Sequence, residues 1–452
     1  MNTTIHHSRT PIEGTPERRR VALGSAVGTT IENYDFIGYS TAAALYFGTV
    51  FFPSGDPTVS LLLSFATLGV GFAARPIGGI VGGYLGDRIG RKPVLIASLL
   101  IMGLSTFAIG LLPTYETIGI AAPILLVTVR IIQGLAFGAE WGGAILMTYE
   151  HAPWRKKGQY TAIPQAGFPI GLLLANLAFL ASAGLPGDWA WRVPFLLSAL
   201  LIAAGIYIRL KVDESPEFEE VKEAGQIERN PILSVLRDDW RNVVRAFCLR
   251  IAETAGYAVI ITYGTSYLHQ NELATKSDTI LAIVLAACCG VVAMLLWGRV
   301  VDRIGRRRVY LFGSSVFILI GIPAFTAFNT GALPLIIATF IITFAVGQNS
   351  LAATQGAWFP ELFQTGQRSS GASLAYQFSS VVTGFTAFAC IGLYTVFGWW
   401  GPALLCMTYG LVSFIAALVT PDTWGRTERA TVDAEITRLT GSVPTVKVPR
   451  RR

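Results

Sequence analysis

A small set of charged residues lies inside long apolar stretches, and their types suggest proton and carboxylate chemistry. Glu32 and Asp35 are three apart, which on a helix puts them on one face. Two crowded carboxylates held out of water suit proton carriage, and Glu140 is a third acid of this kind. Each has a structural alternative, an arginine partner on another helix or a local hydrogen bond. Arg130, with Gln133 one turn on, offers a guanidinium fork that matches a carboxylate; an interhelical ion pair is its alternative. Arg250 and Glu253 stand at i, i+3, so they form either a local pair or a substrate-binding base with an acid that modulates it. Tyr257, Gln348 and Tyr376 add uncharged polar groups, as do Tyr263, Asn349, Gln355 and Gln377. In apolar helices such groups line a cavity or join helices. The candidate proton groups are therefore Asp35, Glu32 and Glu140. The candidate binding groups are Arg130, Gln133, Arg250, Glu253, Tyr257, Gln348 and Tyr376.

Other chemistries find little support. None of the four histidines, His6, His7, His151 and His269, sits in the middle of an apolar run. The five cysteines lie in apolar stretches without metal-ligand spacing and read as small core residues. No catalytic nucleophile has a matching base and no phosphate-binding Gly-rich loop occurs. The expectation is no enzyme activity, no metal and no cofactor, with protons as the coupling ion.

The elements that must carry these groups are membrane helices. The chain of 452 residues is 52% hydrophobic and 14% charged, with mean hydropathy +0.53. Soluble domains carry roughly 25% charged residues, so most of this surface faces something other than water. Apolar segments run at about 22–52, 59–85, 94–112, 120–147, 160–183, 191–210, 244–268, 280–297, 309–328, 333–356, 371–396 and 400–419, each near the roughly 20 residues that span a bilayer. The expected layout is a polar leader (1–21), six helices (22–210), a charged linker (211–243), six more helices (244–420) and a tail (421–452). The leader has no signal-peptide core, so the first helix is retained. Gly167-Phe168-Pro169-Ile170-Gly171 predicts a kink in the fifth segment. At about 15 Å along the second helix from the loop, Arg75 is too deep to reach water and is expected to pair with a first-helix acid.

One loop occurs twice. Gly86-Asp87-Arg88-Ile89-Gly90-Arg91-Lys92 returns as Val301-Asp302-Arg303-Ile304-Gly305-Arg306-Arg307, 215 positions later. Two copies of one membrane unit, each with a basic hinge loop, make a two-halved carrier. Arg75, Asp87, Arg88, Arg91, Asp302, Arg303 and Arg306 are the expected conformational-control residues. Base collects in alternate loops, at Arg155-Lys156-Lys157 and Arg306-Arg307-Arg308 for example, while the opposite loops hold almost none except Lys276. The net charge of +7 therefore points to membrane orientation with both termini cytoplasmic, and not to nucleic acid.

The repeated loop, together with Arg130-Ile131-Ile132-Gln133-Gly134, resembles the major facilitator superfamily. Glu32-Asn33-Tyr34-Asp35-Phe36, Ala74-Arg75-Pro76-Ile77-Gly78, Glu140-Trp141-Gly142-Gly143-Ala144, Trp191-Arg192-Val193-Pro194-Phe195, Glu214-Ser215-Pro216 and Pro360-Glu361-Leu362-Phe363 resemble its metabolite:proton symporter family. The second loop departs from the pattern at Val301, and the tail lacks the long coiled coil of osmosensing members. The resemblance implies an all-α fold of twelve transmembrane helices in two six-helix repeats. It also implies proton-driven uptake, by alternating access across the cell membrane, of an organic acid such as shikimate, 2-oxoglutarate or citrate. Proline or betaine is the alternative cargo. The expected partners are that solute, protons and lipid, with the monomer as functional unit. A channel would need a ring of like residues or a carbonyl filter, and the sequence offers neither.

Overall fold

A computed structural model describes residues 16–89, 91–138, 145, 148–149, 152–210, 235, 237, 239–363 and 368–424. Most of the expected leader, linker and tail lies outside them. The described residues form twelve helical rods. The first six are α1 (Pro16–Ala42, continued by Ala43–Phe47 and Gly48–Phe51), α2 (Pro57–Ile89), α3 (Arg91–Leu111), α4 (Ala121–Gly138), α5 (Lys157–Gln165 and Gly167–Ser182) and α6 (Trp189–Leu210). The second six are α7 (Trp240–Ile251, continued through Ala252–Gly256 and Ala258–Tyr263 to Gly264–Gln270), α8 (Lys276–Ile304), α9 (Arg306–Asn329), α10 (Leu333–Ile341, Ile342–Gln348, Asn349–Leu362), α11 (Arg368–Phe397) and α12 (Trp400–Val419). Among the described residues, nine helices are long and apolar enough to cross a membrane by themselves.

Local chemistry sets the ends. α8 starts at Thr275, whose Oγ1 accepts from the Asp278 amide at 3.1 Å and donates to Asp278 Oδ2 at 2.6 Å, a capped first turn. It stops at Gly305, where φ of +96° suits a residue without Cβ. α5 changes at Ala166 between its two pieces, in the expected region. Its glycines also serve packing: a Cβ on Gly167 would sit 2.8 Å from Ala26 O, and one on Gly171 2.8 Å from Thr30 O. α5 thus lies backbone to backbone on α1.

Glycine sets the α2–α4 contact in the same way. A Cβ on Gly134 would lie 2.1 Å from Gly71 O, one on Gly138 2.0 Å from Arg75 O, and one on Gly78 2.0 Å from Leu135 O. Small residues spaced four apart let membrane helices approach this closely. The cysteines depart from the core expectation. Cys390 and Cys406 are buried and Cys248 is half-buried, but Cys288 and Cys289 are exposed. In a bilayer an exposed face meets lipid, which accepts a thiol as readily as a core does.

The two sets of six helices meet through α2 against α11 and α5 against α8. Gly69 receives the Phe385 ring and Gly384 receives Phe72. Asp302, at the end of α8, accepts from the amides of Gly158 (2.8 Å) and Gln159 (2.9 Å) at the start of α5. A carboxylate from one set so caps a helix of the other, where the amides are unsatisfied and the dipole is positive. At the opposite end Ser266 of α7 donates to Ala44 O of α1 at 2.9 Å. A cavity lies between these two contacts.

Candidate functional site

The cavity is walled by α1, α2, α4, α5, α7, α10 and α11, and the space it encloses together with its open mouth is ≈ 1180 Å³. Glu32, Arg75, Arg250 and Glu253 give it two acids and two bases. Gln348, Tyr257 and Tyr376 from the candidate set also line it, as do Asn33, Gln165 and Phe168. A side chamber of ≈ 240 Å³ opens off it within the first six helices, lined by Asp35, Arg130 and Gln133. Glu32, Phe36, Arg75 and Phe137 line both spaces and form the partition between them.

In the side chamber the Arg130 guanidinium donates to Gln133 Oε1 at 2.5 Å, and Gln133 donates to the Thr106 hydroxyl at 2.7 Å. The guanidinium lies 4.0 Å from the Tyr39 ring centroid, and Gly71 leaves room for it, since a Cβ there would meet Arg130 Nε at 2.5 Å. Asp35 is 1% exposed, and no well-formed hydrogen bond reaches either of its oxygens; the Thr106 hydroxyl is placed as a donor toward it, and Arg130 acts on it through its charge. An acid held this way is costly when charged, so a proton belongs to its chemistry. Arg130 and Gln133, expected against a substrate, thus face Asp35's chamber and not the central cavity.

In the second six helices Arg250 Nε lies 3.4 Å from Glu253 Oε2. One Arg250 nitrogen also donates to Tyr376 O (2.7 Å), Ser379 Oγ (2.9 Å) and Ser380 Oγ (3.0 Å), and the Tyr376 ring lies beneath it. Glu253 accepts from Gln348 Nε2 at 2.9 Å. This is the local pair, reinforced from α10 and α11. Gln355 donates to the Tyr310 hydroxyl at 2.9 Å, Asn349 to Gly290 O at 2.7 Å and Gln377 to Gly138 O at 3.4 Å. Those three amides join helices. Tyr263 packs against Tyr267 and Phe325, away from the cavity lining.

Arg75 is enclosed by rings, 3.7 Å from the Phe137 centroid, 4.0 Å from Phe72 and 4.9 Å from Phe36. Glu32, on the neighbouring helix, is within electrostatic reach. Of the expected control residues, Arg306 bonds Glu361 at 3.0 Å and lies 3.9 Å from Asp302, and Arg303 is at the exposed end of α8. Glu140 and the side chains of Asp87, Arg88 and Arg91 lie outside the described residues. The rings around Arg75, the Tyr39 face under Arg130 and the serines on Arg250 were not legible in sequence. An aromatic or a serine in an apolar helix carries no mark of which arginine it will meet.

The family model of the Major Facilitator Superfamily matches residues 72–347 and 246–449. The chain belongs to the major facilitator superfamily. It is therefore a multi-pass membrane transporter and not an enzyme. An inner membrane metabolite transport protein of Escherichia coli (strain K12) is 37% identical over 93% of this chain and 98% of its own. The shikimate transporter of the same organism is 37% identical over 93% and 99%. A proline/betaine transporter of that strain is 33% identical over 81% and 76%. In fold, this transporter superposes on a proton:xylose symporter with TM-score 0.70 at 17% identity, covering 91% of this chain and 98% of that one.

Proposed function

We propose that this transporter is a proton-coupled symporter that imports a small organic acid by alternating access. One observation carries the reading: acids and bases contributed by both sets of six helices surround a single cavity between them. In a low-dielectric pocket a lone uncompensated charge is strongly disfavoured. An anion entering a cavity that is already balanced must bring a cation, and a proton on Asp35 or Glu32 supplies it. The loaded and empty forms are then both balanced, and half-loaded forms are not, which ties the two fluxes together. Residues 22–210 and 244–420 are the bundles that rock, joined by 211–243, with both termini cytoplasmic and the monomer sufficient.

The names of the relatives support an organic acid, and one of them supports the second reading, a zwitterion such as proline or betaine. The equal number of acids and bases on the cavity wall also suits a zwitterion. Uptake into proteoliposomes carrying an imposed pH gradient, with labelled shikimate, 2-oxoglutarate, citrate, proline and betaine, separates the two. Accumulation of an acid that collapses with the gradient is the expected result. Uptake indifferent to the gradient removes the coupling, and accumulation of betaine alone moves the assignment to the zwitterion.

A further inference from the structure

We propose that the transported acid is a polyhydroxylated one, a carboxylate whose carbon skeleton carries two or more hydroxyl groups, and that amide oxygens on the cavity wall receive those hydroxyls. This rests on the organic-acid reading above and names the class of acid. The observation behind it is how the amide side chains of the wall are turned. Asn33, Gln165, Gln348 and Gln355 all line the central cavity, and each commits its nitrogen to the protein. Asn33 Nδ2 donates to Thr29 O at 2.6 Å, Gln165 Nε2 to Ala352 O at 3.1 Å and Gln348 Nε2 to Glu253 Oε1 at 2.9 Å. Gln355 Nε2 donates to the Tyr310 hydroxyl at 2.9 Å and is placed toward Glu253 as well.

The partners dictate these orientations. A backbone carbonyl only accepts, and so does a carboxylate. The Tyr310 hydroxyl already donates to Leu249 O at 2.7 Å, so toward Gln355 it accepts too. An amide facing such a partner must present N–H, and the end left over is its oxygen. The Gln348 oxygen is buried without a hydrogen-bond partner. Hydroxyls on the same wall behave alike. Thr29, Ser40, Thr254 and Thr383 give their O–H to the carbonyl four residues back, at Ser25, Phe36, Arg250 and Ser379, a habit of hydroxyls in helices. They keep lone pairs. The neutral polar groups of α1, α5, α7, α10 and α11 thus turn acceptors toward the space between them.

Such a wall discriminates among solutes. An ionised carboxylate is itself acceptor-only and gains nothing from these oxygens; the cations of the wall, Arg75 and Arg250, are what attract it. The quaternary nitrogen of betaine has no N–H to give. An ammonium gathers its N–H groups on one atom, whereas the acceptors come from helices on several sides. Hydroxyls spread along a skeleton supply donors in several directions. Each also accepts, which suits the hydroxyls of Tyr257 and Thr262 on the same wall. A buried acceptor left unmet counts against a solute that lacks the matching group.

The test is binding to the purified protein without any gradient, read as thermal stabilisation over a concentration series. Each hydroxylated acid is set against its skeleton stripped of hydroxyls: shikimate against cyclohex-1-ene-1-carboxylate, quinate against cyclohexane-1-carboxylate and gluconate against hexanoate. Methyl esters of the three, 2-oxoglutarate, citrate, proline and betaine complete the panel. At least one hydroxylated acid is expected to bind, about 100-fold or more tighter than its stripped counterpart. Asn33→Leu and Gln165→Leu should each cut that ratio by about 5-fold, the loss of one acceptor. A helix displaced by the substitution would weaken both members of a pair and leave the ratio alone. A melting curve without ligand checks that each variant is folded, and the paired acids on the wild type need no variant. A stripped acid that binds as well as its partner, or binding by 2-oxoglutarate or citrate and by none of the hydroxylated acids, overturns this class and leaves an organic acid in place. An unchanged ratio in both folded variants overturns the role of the amide oxygens. Equal binding of a hydroxylated acid and its ester, or stabilisation by proline or betaine alone, overturns the organic-acid reading instead, and stabilisation by none of the compounds overturns both.

Discussion

Asp35 and Arg250 show how differently a buried charge can be kept. One Arg250 nitrogen donates to three acceptors and the guanidinium pairs with Glu253 at 3.4 Å, although Nε itself makes no hydrogen bond, whereas neither Asp35 oxygen meets a well-formed hydrogen bond. A cation anchored to a neighbouring helix and paired with its own carboxylate belongs to the scaffold, and a weakly held acid beside a tethered arginine is suited to gaining and losing a proton. Asp35→Asn should therefore abolish gradient-driven accumulation while leaving solute exchange across the membrane intact. Counterflow in proteoliposomes measures both. Loss of both activities in a folded protein would place Asp35 in the scaffold. At this scale the sequence picked out Glu32, Asp35, Arg75, Arg130, Arg250 and Glu253, which line the cavity or its side chamber, because charge inside an apolar run has to be explained. It did not separate the side chamber from the cavity. Arg130 and Arg75 look alike in sequence, and only the rotation of α2 and α4 about their axes decides which space each one meets.

Among the helices, close contact is set by absent side chains. The α2–α4 pair meets at Gly71, Gly78, Gly134 and Gly138, and at Gly134 the nearest atom to an added methyl is a carbonyl oxygen at 2.1 Å. A backbone atom cannot swing aside, so Gly134→Ala must push the helices apart. The expected cost is about 1–3 kcal/mol, seen as a lowered melting temperature in detergent, with Arg75 and Arg130 displaced together. Gly38→Ala, where a methyl meets nothing within 4 Å, is the matched control and should melt like the wild type. The wide-turn segments in α1 (Ala43–Phe47) and α7 (Ala258–Tyr263) begin 215 positions apart, the spacing of the two hinge loops. The repeat therefore extends to helix geometry. Sequence reading did not find these turns, because an extra residue in a helical turn reflects packing against neighbours and leaves no periodic signature.

Across the molecule, Asp302 is placed to favour one arrangement of the two sets of helices over others. It bonds two amides of α5 from the far set and is backed by Arg306, which Glu361 holds in turn. Thr423 donates to Glu361, and Trp424 Nε1 donates to Asp302 O at 3.3 Å, so the chain beyond α12 braces the same corner. Asp302→Ala removes a helix cap worth about 0.5–2 kcal/mol from the arrangement in which these ends touch. The population should shift by that amount toward forms in which they separate. Labelling of a cysteine placed at Gln165 from the loop-rich basic side should accelerate in the variant. An unchanged rate would make the bond a consequence of closure and not a contributor to it.

Composition and pattern were enough to determine the number of helices, their membrane setting, the repeated basic loop and the short roster of buried charges. Each follows from a local rule: apolar length fits a bilayer, a duplicated unit repeats its loop, and an ion in lipid needs a purpose. Tertiary structure alone decided which of those ions share a space. Spacing along one helix fixes neighbours on that helix, but partners on another depend on how closely the two axes approach and how each is turned. Here glycine-against-carbonyl contacts set that approach, and with it the division into a central cavity, a side chamber and the partition that carries Glu32 and Arg75.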